Sequence, residues 1–312
     1  MRVRIGVDVG GTKIEGIVLH GSDEIGRMRV ATPVDDYAGT LEAIAGVVSA
    51  LEQQVPEGAE RATVGVGIPG SLSSVSGLVR NANSVCLIGH PLRDDLEARL
   101  GREVRLANDA NCFAASEASD GAAAGAGVVF AVIAGTGIGA GIAVNGAVLA
   151  GANGIAGEWG HNPLPWPDDE DRFGPDCYCG RRNCIETFLS GPGLSFDHAC
   201  RTGRELDAPE IVAAAAGGDS AAEATLRRYD QRMARALAAI INVLDPDVIV
   251  IGGGLSNLDR LYVHVPRLWS EYIFACGAST PAEVVRTRLV RAAHGDASGV
   301  RGAAWLWSVS GE

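Results

Sequence analysis

The residues with the narrowest choice of chemistry in this sequence are three cysteines and a histidine. Cys177, Cys179 and Cys184 crowd into eight residues, and Glu158-Trp159-Gly160-His161 stands a short way upstream. One imidazole and three thiolates make a Cys₃His set, which suits a tetrahedral Zn²⁺ with no open coordination position, hence a structural rather than a catalytic metal. Thiols beside Gly180 in an otherwise polar segment have little core to pack against, which weighs against chance clustering of buried cysteines. Glu186 lies two residues past Cys184, so a zinc ion would fix the positions of Glu158, His161 and Glu186 together.

Glycine turns suggest a second kind of chemistry. Asp8-Val9-Gly10-Gly11-Thr12-Lys13 falls where a β-branched, strand-like segment reverses. Glycine lets backbone N–H groups approach a phosphate, Thr12 and Lys13 add a hydroxyl and a cation, and Asp8 could hold Mg²⁺ through water. A Gly-Gly turn between strands is also an ordinary hairpin, so this motif alone does not decide. Gly135-Thr136-Gly137-Ile138-Gly139 and Gly252-Gly253-Gly254 offer further backbone turns, the last at a place where an adenosine group could pass. None is a Walker loop, because Gly-x-x-x-x-Gly-Lys-[Ser/Thr] does not occur. Asn108-Asp109 follows a strand pattern and precedes a helical one. A carboxylate there faces the crevice where open α/β sheets bind ligands, but Asp before a helix is also a good N-cap.

An α/β framework must position these residues. Strand patterns over residues 3–9, 14–20 and 25–31 predict a meander, residues 37–53 carry apolar side chains at helical spacing, and residues 63–68 return to strand. Helix over 92–100, strand over 104–107 and helix over 111–118 continue the alternation, which indicates an α/β fold with a mixed sheet. Shifting the start of the chain by about 125 positions lays residues 3–21 over 128–146 without a gap, with Gly10 on Gly135 and Gly16 on Gly141. The repeat predicts two similar lobes. The first spans residues 1–121 and is completed by a C-terminal helix over 298–312; the second spans 122–297 and carries the cysteine loop over 151–193. The Gly/Ala run at 121–127 is the expected boundary. Beyond it, the pattern predicts an irregular region to about residue 193, helices over 208–216 and 221–244, and a strand over 248–251.

A net charge of −12 and a sequence pI near 5.0 argue against nucleic acid or an anionic membrane as partner, since both need clustered Lys and Arg. No apolar run reaches the length of a spanning helix, and the chain enters a strand directly after Met1, so a cytoplasmic protein is expected. Seven cysteines, an odd number, fit a secreted disulfide framework poorly. Cys86, Cys112, Cys200 and Cys276, isolated among apolar or mixed neighbours, are expected as buried, inert thiols.

Taken in order, Asp-x-Gly-Gly-Thr, Gly67-Ile-Pro-Gly70, Asn108-Asp-Ala-Asn111, Gly-Thr-Gly-Ile-Gly, Glu-Trp-Gly-His, Cys-Tyr-Cys-Gly-x₃-Cys-Ile-Glu and Leu-Asp-Pro-Asp-x₄-Gly-Gly-Gly resemble the ROK family of sugar kinases. The resemblance runs from Asp8 to the region of Trp305. Asn81-Ala-Asn-Ser84, His161-Asn-Pro-Leu-Pro-Trp166 and Cys177-Tyr-Cys-Gly180 look most similar to its bacterial fructokinase (mannokinase) branch. The resemblance implies a two-lobed, actin-like (hexokinase/ribonuclease H-like) fold and phosphoryl transfer from ATP·Mg²⁺ to a hexose, with fructose expected, mannose or glucose as further substrates, and an N-acetylglucosamine or glucose kinase of the same family as the alternative. It implies Asp109 as the catalytic base, and Asn108, Glu158, His161 and Glu186 as sugar ligands, with Asn83 and Gly70 lining the pocket. It also implies a structural Zn²⁺ on His161, Cys177, Cys179 and Cys184, and a homodimer. Asn183 replaces the glycine that usually precedes the last cysteine; Asn tolerates positive φ best among the other residues, so the turn is expected to survive. A sugar-sensing repressor of the same family would need a DNA-binding segment before Asp8, where this sequence has seven residues. A zinc-dependent interaction module is a further reading, and the acidic run Asp168–Asp171 sets it against nucleic acid.

Overall fold

The structure is a computed structural model that describes residues 2–82, 84–172, 174–274 and 285–307. Asn83, Cys276 and the end of the expected 298–312 helix fall outside the described residues.

The chain begins with β1 (Val3–Val9), β2 (Lys13–His20) and β3 (Asp23–Ala31), then α1 (Tyr37–Glu52) and β4 (Thr63–Ile68). A small hairpin, β5 (Ser71–Leu72) and β6 (Val79–Arg80), leads to α2 (Leu92–Leu100), β7 (Val104–Asn108) and α3 (Asp109–Ser119). There follow β8 (Val128–Ala134), β9 (Ile138–Val144) and β10 (Ala147–Val148), then α4 (Glu186–Leu189), α5 (Gly191–Thr202), α6 (Ala208–Ala216) and α7 (Ser220–Leu244). Last come β11 (Val248–Gly252), α8 (Asp259–Leu268), β12 (Arg288–Arg291) and α9 (Ser298–Trp305). Two five-stranded sheets result, in the orders β3-β2-β1-β4-β7 and β10-β9-β8-β11-β12. The orders correspond strand for strand, as the sequence repeat requires, and each sheet mixes antiparallel and parallel pairs.

The chain divides into two compact units, Met1–Gly127 with Gly141–Gly157 and Ala293–Glu312, and Val128–Ala140 with Glu158–Ala292. In the first, β1 is buried along nearly its whole length, although Val3-Arg4-Ile5-Gly6-Val7-Asp8-Val9 alternates apolar with other residues. Ile5, Val7, Val64 and Val66 pack with Ile44, Val48 and Leu51 of α1. The other face is covered by α9, which meets the sheet backbone to backbone. A Cβ on Gly6 or Gly65 would collide with the Val300 and Ala303 carbonyl oxygens, and one on Gly302 with that of Cys112.

Several expectations are corrected. Residues 141–157, assigned from sequence to the second lobe, belong to the first unit, because Gly141 packs directly on Ala110 and Ala114 of α3. The C-terminal helix starts at Ser298 as expected but ends at Trp305. Helix α3 starts at Asp109 rather than Asn111, and α5 starts inside the span read as irregular. Of the cysteines expected to be buried, Cys112 is; Cys86 is half-buried and Cys200, on α5, is exposed. Among the described residues no helix is long and apolar enough to cross a membrane.

Candidate functional site

In the first unit, the C-terminal ends of three parallel strands gather the candidate residues. Asp8 of β1 pairs with Gly67 of β4, and Ile68 of β4 pairs with Asn108 of β7. Asn108, not Asp109, is the N-cap of α3, its side chain accepting from the Asn111 N–H at 2.8 Å. Asp109 is thereby the first helical residue, its Oδ1 accepting from the Ala110 N–H at 2.8 Å while the residue stays exposed on one side. Desolvation by the surrounding strand ends raises the Asp109 carboxyl above the usual range, against the pull of that backbone bond. Asp8 is pushed up to about 6, first by desolvation, then by the negative charges of Asp109 and Glu15, with Lys13 opposing. The fully buried Cys112 thiol is driven up by the same desolvation and the same two aspartates.

The first glycine turn is tight and well held. The Gly10 N–H donates to the Lys13 carbonyl at 2.9 Å, and Thr32 fixes the turn from β3's end through its hydroxyl to the Gly10 carbonyl at 2.7 Å. No described atom lies within 4 Å of where a Cβ on Gly11 would be, so the turn is open to a ligand there. Beside Asn108, a cavity of about 460 Å³ is lined by Ile68, Ser71, Leu72, Asn111 and Val148. Asn111 Oδ1 is buried without a hydrogen-bond partner among the described residues. Arg93, Asp94, Glu97, Glu103 and Arg105 also line the cavity, so its wall is mixed rather than apolar. Gly70, at φ 114°, packs against the Arg80 carbonyl and Ala82; that φ is available to glycine, so its role here is the backbone turn itself. Asn83 cannot be placed, lying outside the described residues.

In the second unit, the Gly135–Gly139 and Gly252–Gly254 turns leave the adjacent ends of β8 and β11, which pair in parallel through Gly252 and Ile133. Gly253, at φ 78°, comes so near the Ala134 carbonyl that a Cβ would sit 2.5 Å from its oxygen. Around Gly135 and Gly254 space is open. The first of these turns is braced from the cysteine segment: Glu186 Oε2 accepts from the Ile138 N–H at 3.0 Å, and the Gly191 N–H donates to the Gly135 carbonyl at 2.8 Å. Glu186, expected as a sugar ligand, therefore already spends one oxygen on a glycine turn.

His161, Cys177, Cys179 and Cys184 come together as the sequence predicts, with one ligand atom from each within 4.8 Å of the others. Cys177 Sγ lies 3.6 Å from His161 Nδ1, and Cys179 Sγ 3.6 Å from Cys184 Sγ. A tetrahedral zinc with bonds of about 2.0–2.3 Å requires ligand separations of roughly 3.5–3.8 Å, so the set fits that ion. Nδ1 faces the sulfurs and Nε2 meets the Tyr178 hydroxyl at 3.0 Å, so the two nitrogens divide the two roles expected of His161. Tyr178 was not singled out by sequence. Asn183 adopts φ 60°, and its side-chain amide donates to the Arg172 carbonyl at 2.9 Å. Glu158 is exposed, next to buried Trp159 and Gly160, whose turn packs on Ile138.

The acidic run upstream has an internal purpose. Asp171 is buried and accepts from Arg232 at 2.9 Å and from Arg235, both on α7. Arg235 also donates to the Trp166 carbonyl at 2.6 Å. Asp171 thus anchors the cysteine segment to α7, while Asp168, Asp169 and Glu170 stay exposed.

Comparison with known proteins agrees with this arrangement. The sequence profile of the ROK family matches residues 4–309. The N-acetyl-D-glucosamine kinase of Vibrio cholerae serotype O1 is 41% identical over 308 residues, covering 96% of this chain and 98% of the relative. Among solved structures, the ROK hexokinase of Thermus thermophilus is similar with a TM-score of 0.83 and 30% identity, covering 97% of both chains. A ROK family glucokinase from Streptomyces griseus, in complex with glucose and AMPPNP, has a TM-score of 0.71 and 27% identity, covering 97% of this chain and 98% of that one.

Proposed function

Given that the chain belongs to the ROK family and is an ATP-dependent sugar kinase, we propose that its substrate is N-acetylglucosamine. What supports this reading is a set of relatives at about 40% identity along 96% of the chain, each named as an N-acetyl-D-glucosamine kinase. The fructose expected from loop motifs is set aside in its favour. Within those motifs Asn81 and Trp166 sit at positive φ (53° and 45°), so turn geometry alone can account for them.

In the proposed reaction, Asp109 accepts the proton of the attacking sugar hydroxyl, its raised pKa bringing it nearer to the work of a base at neutral pH. Asn108, Glu158, His161 through Nε2, and Glu186 through its second oxygen hold the sugar, with Gly70 and Asn83 beside them. The turns Asp8–Lys13, Gly135–Gly139 and Gly252–Gly254 hold ATP, with Asp8 meeting Mg²⁺ through water. Positioning and charge neutralisation supply most of the rate in such transfers. His161, Cys177, Cys179 and Cys184 would hold a structural zinc, which would need all three cysteines as thiolates and would fix the loop.

The test is a panel of sugars assayed for ADP release with ATP and Mg²⁺. N-acetylglucosamine should exceed fructose by at least about tenfold in kcat/KM, since buried polar groups built for one sugar are left unpaired by another. A preference for fructose would overturn the assignment and leave the kinase intact.

A further inference from the structure

Glu117, near the end of α3, is a fully buried carboxylate whose hydrogen bonds, among the described residues, all come from neutral donors. Oε2 accepts from the Ala122 N–H at 2.9 Å and the Ala293 N–H at 3.0 Å. Oε1 accepts from the Ser298 hydroxyl at 3.0 Å and from the His294 N–H at 3.4 Å. Burying a charge without a cation is costly, and well-packed apolar side chains often serve a core at least as well. Geometry explains the carboxylate better than stability does. Its two oxygens fix donors from two separate stretches, the chain that leaves α3 and the chain that enters α9.

What those bonds hold is the start of α9. Ser298 is its first residue, and four residues on, on the same face of the helix, a Cβ on Gly302 would collide with the Cys112 carbonyl of α3. Helix α9 is therefore pinned to α3 at two points, which fix both its position and its tilt. Gly299 lies between them, and a Cβ there would fall 3.3 Å from Asp8 Oδ2 and 3.5 Å from Asp8 Cγ. A Cβ on Gly67 of β4 would fall 3.2 Å from Asp8 Oδ1, so the carboxylate is walled by two backbones. Helix α3 also carries Asp109 at its first position, about 12 Å along the axis from Glu117.

Resting on the kinase reading above, we propose that Glu117 is a positioning residue for phosphoryl transfer: by holding Ser298 it seats Gly299 against Asp8, and so sets the Asp8 carboxylate relative to that of Asp109. Being fully buried, Glu117 touches neither sugar nor nucleotide and acts through α9. Asp8 turns toward the metal only as far as Gly299 allows.

The test separates packing from positioning. Gly299→Ala leaves the Glu117 bonds in place and favours helix, so its melting temperature should match or exceed the parent's, yet its Cβ crowds Asp8. Calorimetric titration with AMPPNP at varied Mg²⁺ should show the Mg²⁺ half-saturation raised about tenfold, with KM for the sugar within about twofold. Glu117→Gln turns one acceptor into a donor that faces N–H groups, and Ser298→Ala removes one bond with little change of shape. Both should raise the Mg²⁺ half-saturation, by about tenfold and about threefold, and lower kcat in step while sugar KM stays within about twofold. A Mg²⁺ half-saturation within about twofold of the parent in folded Gly299→Ala and Ser298→Ala variants would overturn the proposal, as would a loss in Glu117→Gln shared equally between Mg²⁺ and sugar. A parent enzyme that releases no ADP with any sugar would defeat the kinase reading. An active parent whose folded variants keep its Mg²⁺ dependence would defeat this proposal alone.

Discussion

Glu186 Oε2 lies 3.0 Å from the Ile138 N–H, so the residue two places past the last metal-ligating cysteine is hydrogen-bonded to the second glycine turn. The Gly191 amide adds a second tie, to the Gly135 carbonyl. Sequence position alone places the cysteine segment and the glycine turns apart, which predicts that ATP binding changes less than sugar binding when the metal is lost. The Glu186 tie adds a route from the metal segment to the second turn. Cys179→Ser, or zinc removal by chelation, should raise KM for ATP·Mg²⁺ by about fivefold in addition to raising KM for the sugar, the worth of roughly one hydrogen bond. Most helical circular dichroism should remain, since both units have apolar cores of their own. An ATP KM unchanged while the sugar KM rises would show that the tie carries no strain to the turn.

Asp109→Asn should lower kcat by about 10²–10⁴-fold and leave sugar affinity within a few-fold, because the amide keeps the shape and loses the proton acceptor. Its melting temperature should stay within about 2 °C of the parent, because Asn108 carries the cap of α3. A fall of less than tenfold in kcat would return Asp109 to a structural role.

Asp8 gives a signed pH dependence. Its carboxyl titrates near 6 in the folded protein and near 4 when unfolded, so the folded state holds the extra proton between those values. The resulting stability is full below about pH 4 and is lost as pH rises through 6. In Mg²⁺-free buffer, Asp8→Asn should therefore gain in melting temperature over the parent between pH 4 and pH 7. Thermal melts at the two pH values test it; a constant difference would mean that Asp8 is not desolvated.

Asp171→Ala should be among the most destabilising single changes in the cysteine segment. It leaves Arg235, about 4% exposed, without its close carboxylate, while Arg232 keeps Asp197 at 3.0 Å. Breaking a buried pair from one side costs about 3–5 kcal/mol. Denaturant unfolding should register that loss, and zinc content after dialysis should fall with it. A loss under about 1 kcal/mol would place the anchor elsewhere.

Much of this was legible in the sequence because backbone geometry repeats where composition does. The 125-residue shift carries β1 onto β8 and β2 onto β9 to within one residue, and Asn183 takes the positive φ that its place before Cys184 demands. The metal set was legible because thiols three to a short loop have few other uses. The less legible features depend on pairings across sequence distance. Nothing near Asp171 announces two arginines on a helix some sixty residues away, and nothing near Glu186 announces Ile138. The two-residue strands β5, β6 and β10 are too short to leave a periodicity. The division of labour in His161 needed the positions of Cys177 and Tyr178 around its ring.

The close seating of α9 on Gly6 and Gly65 has a consequence for biosynthesis. Those glycines lie in β1 and β4, which precede the second unit along the chain, whereas the helix that covers them follows it. A chain leaving the ribosome N-terminus first must carry that bare face of the first sheet, backbone and all, until residues 298–305 emerge. The second unit has no such debt to later sequence beyond β12. The unit that holds the first strands is therefore completed only after the second unit has been made.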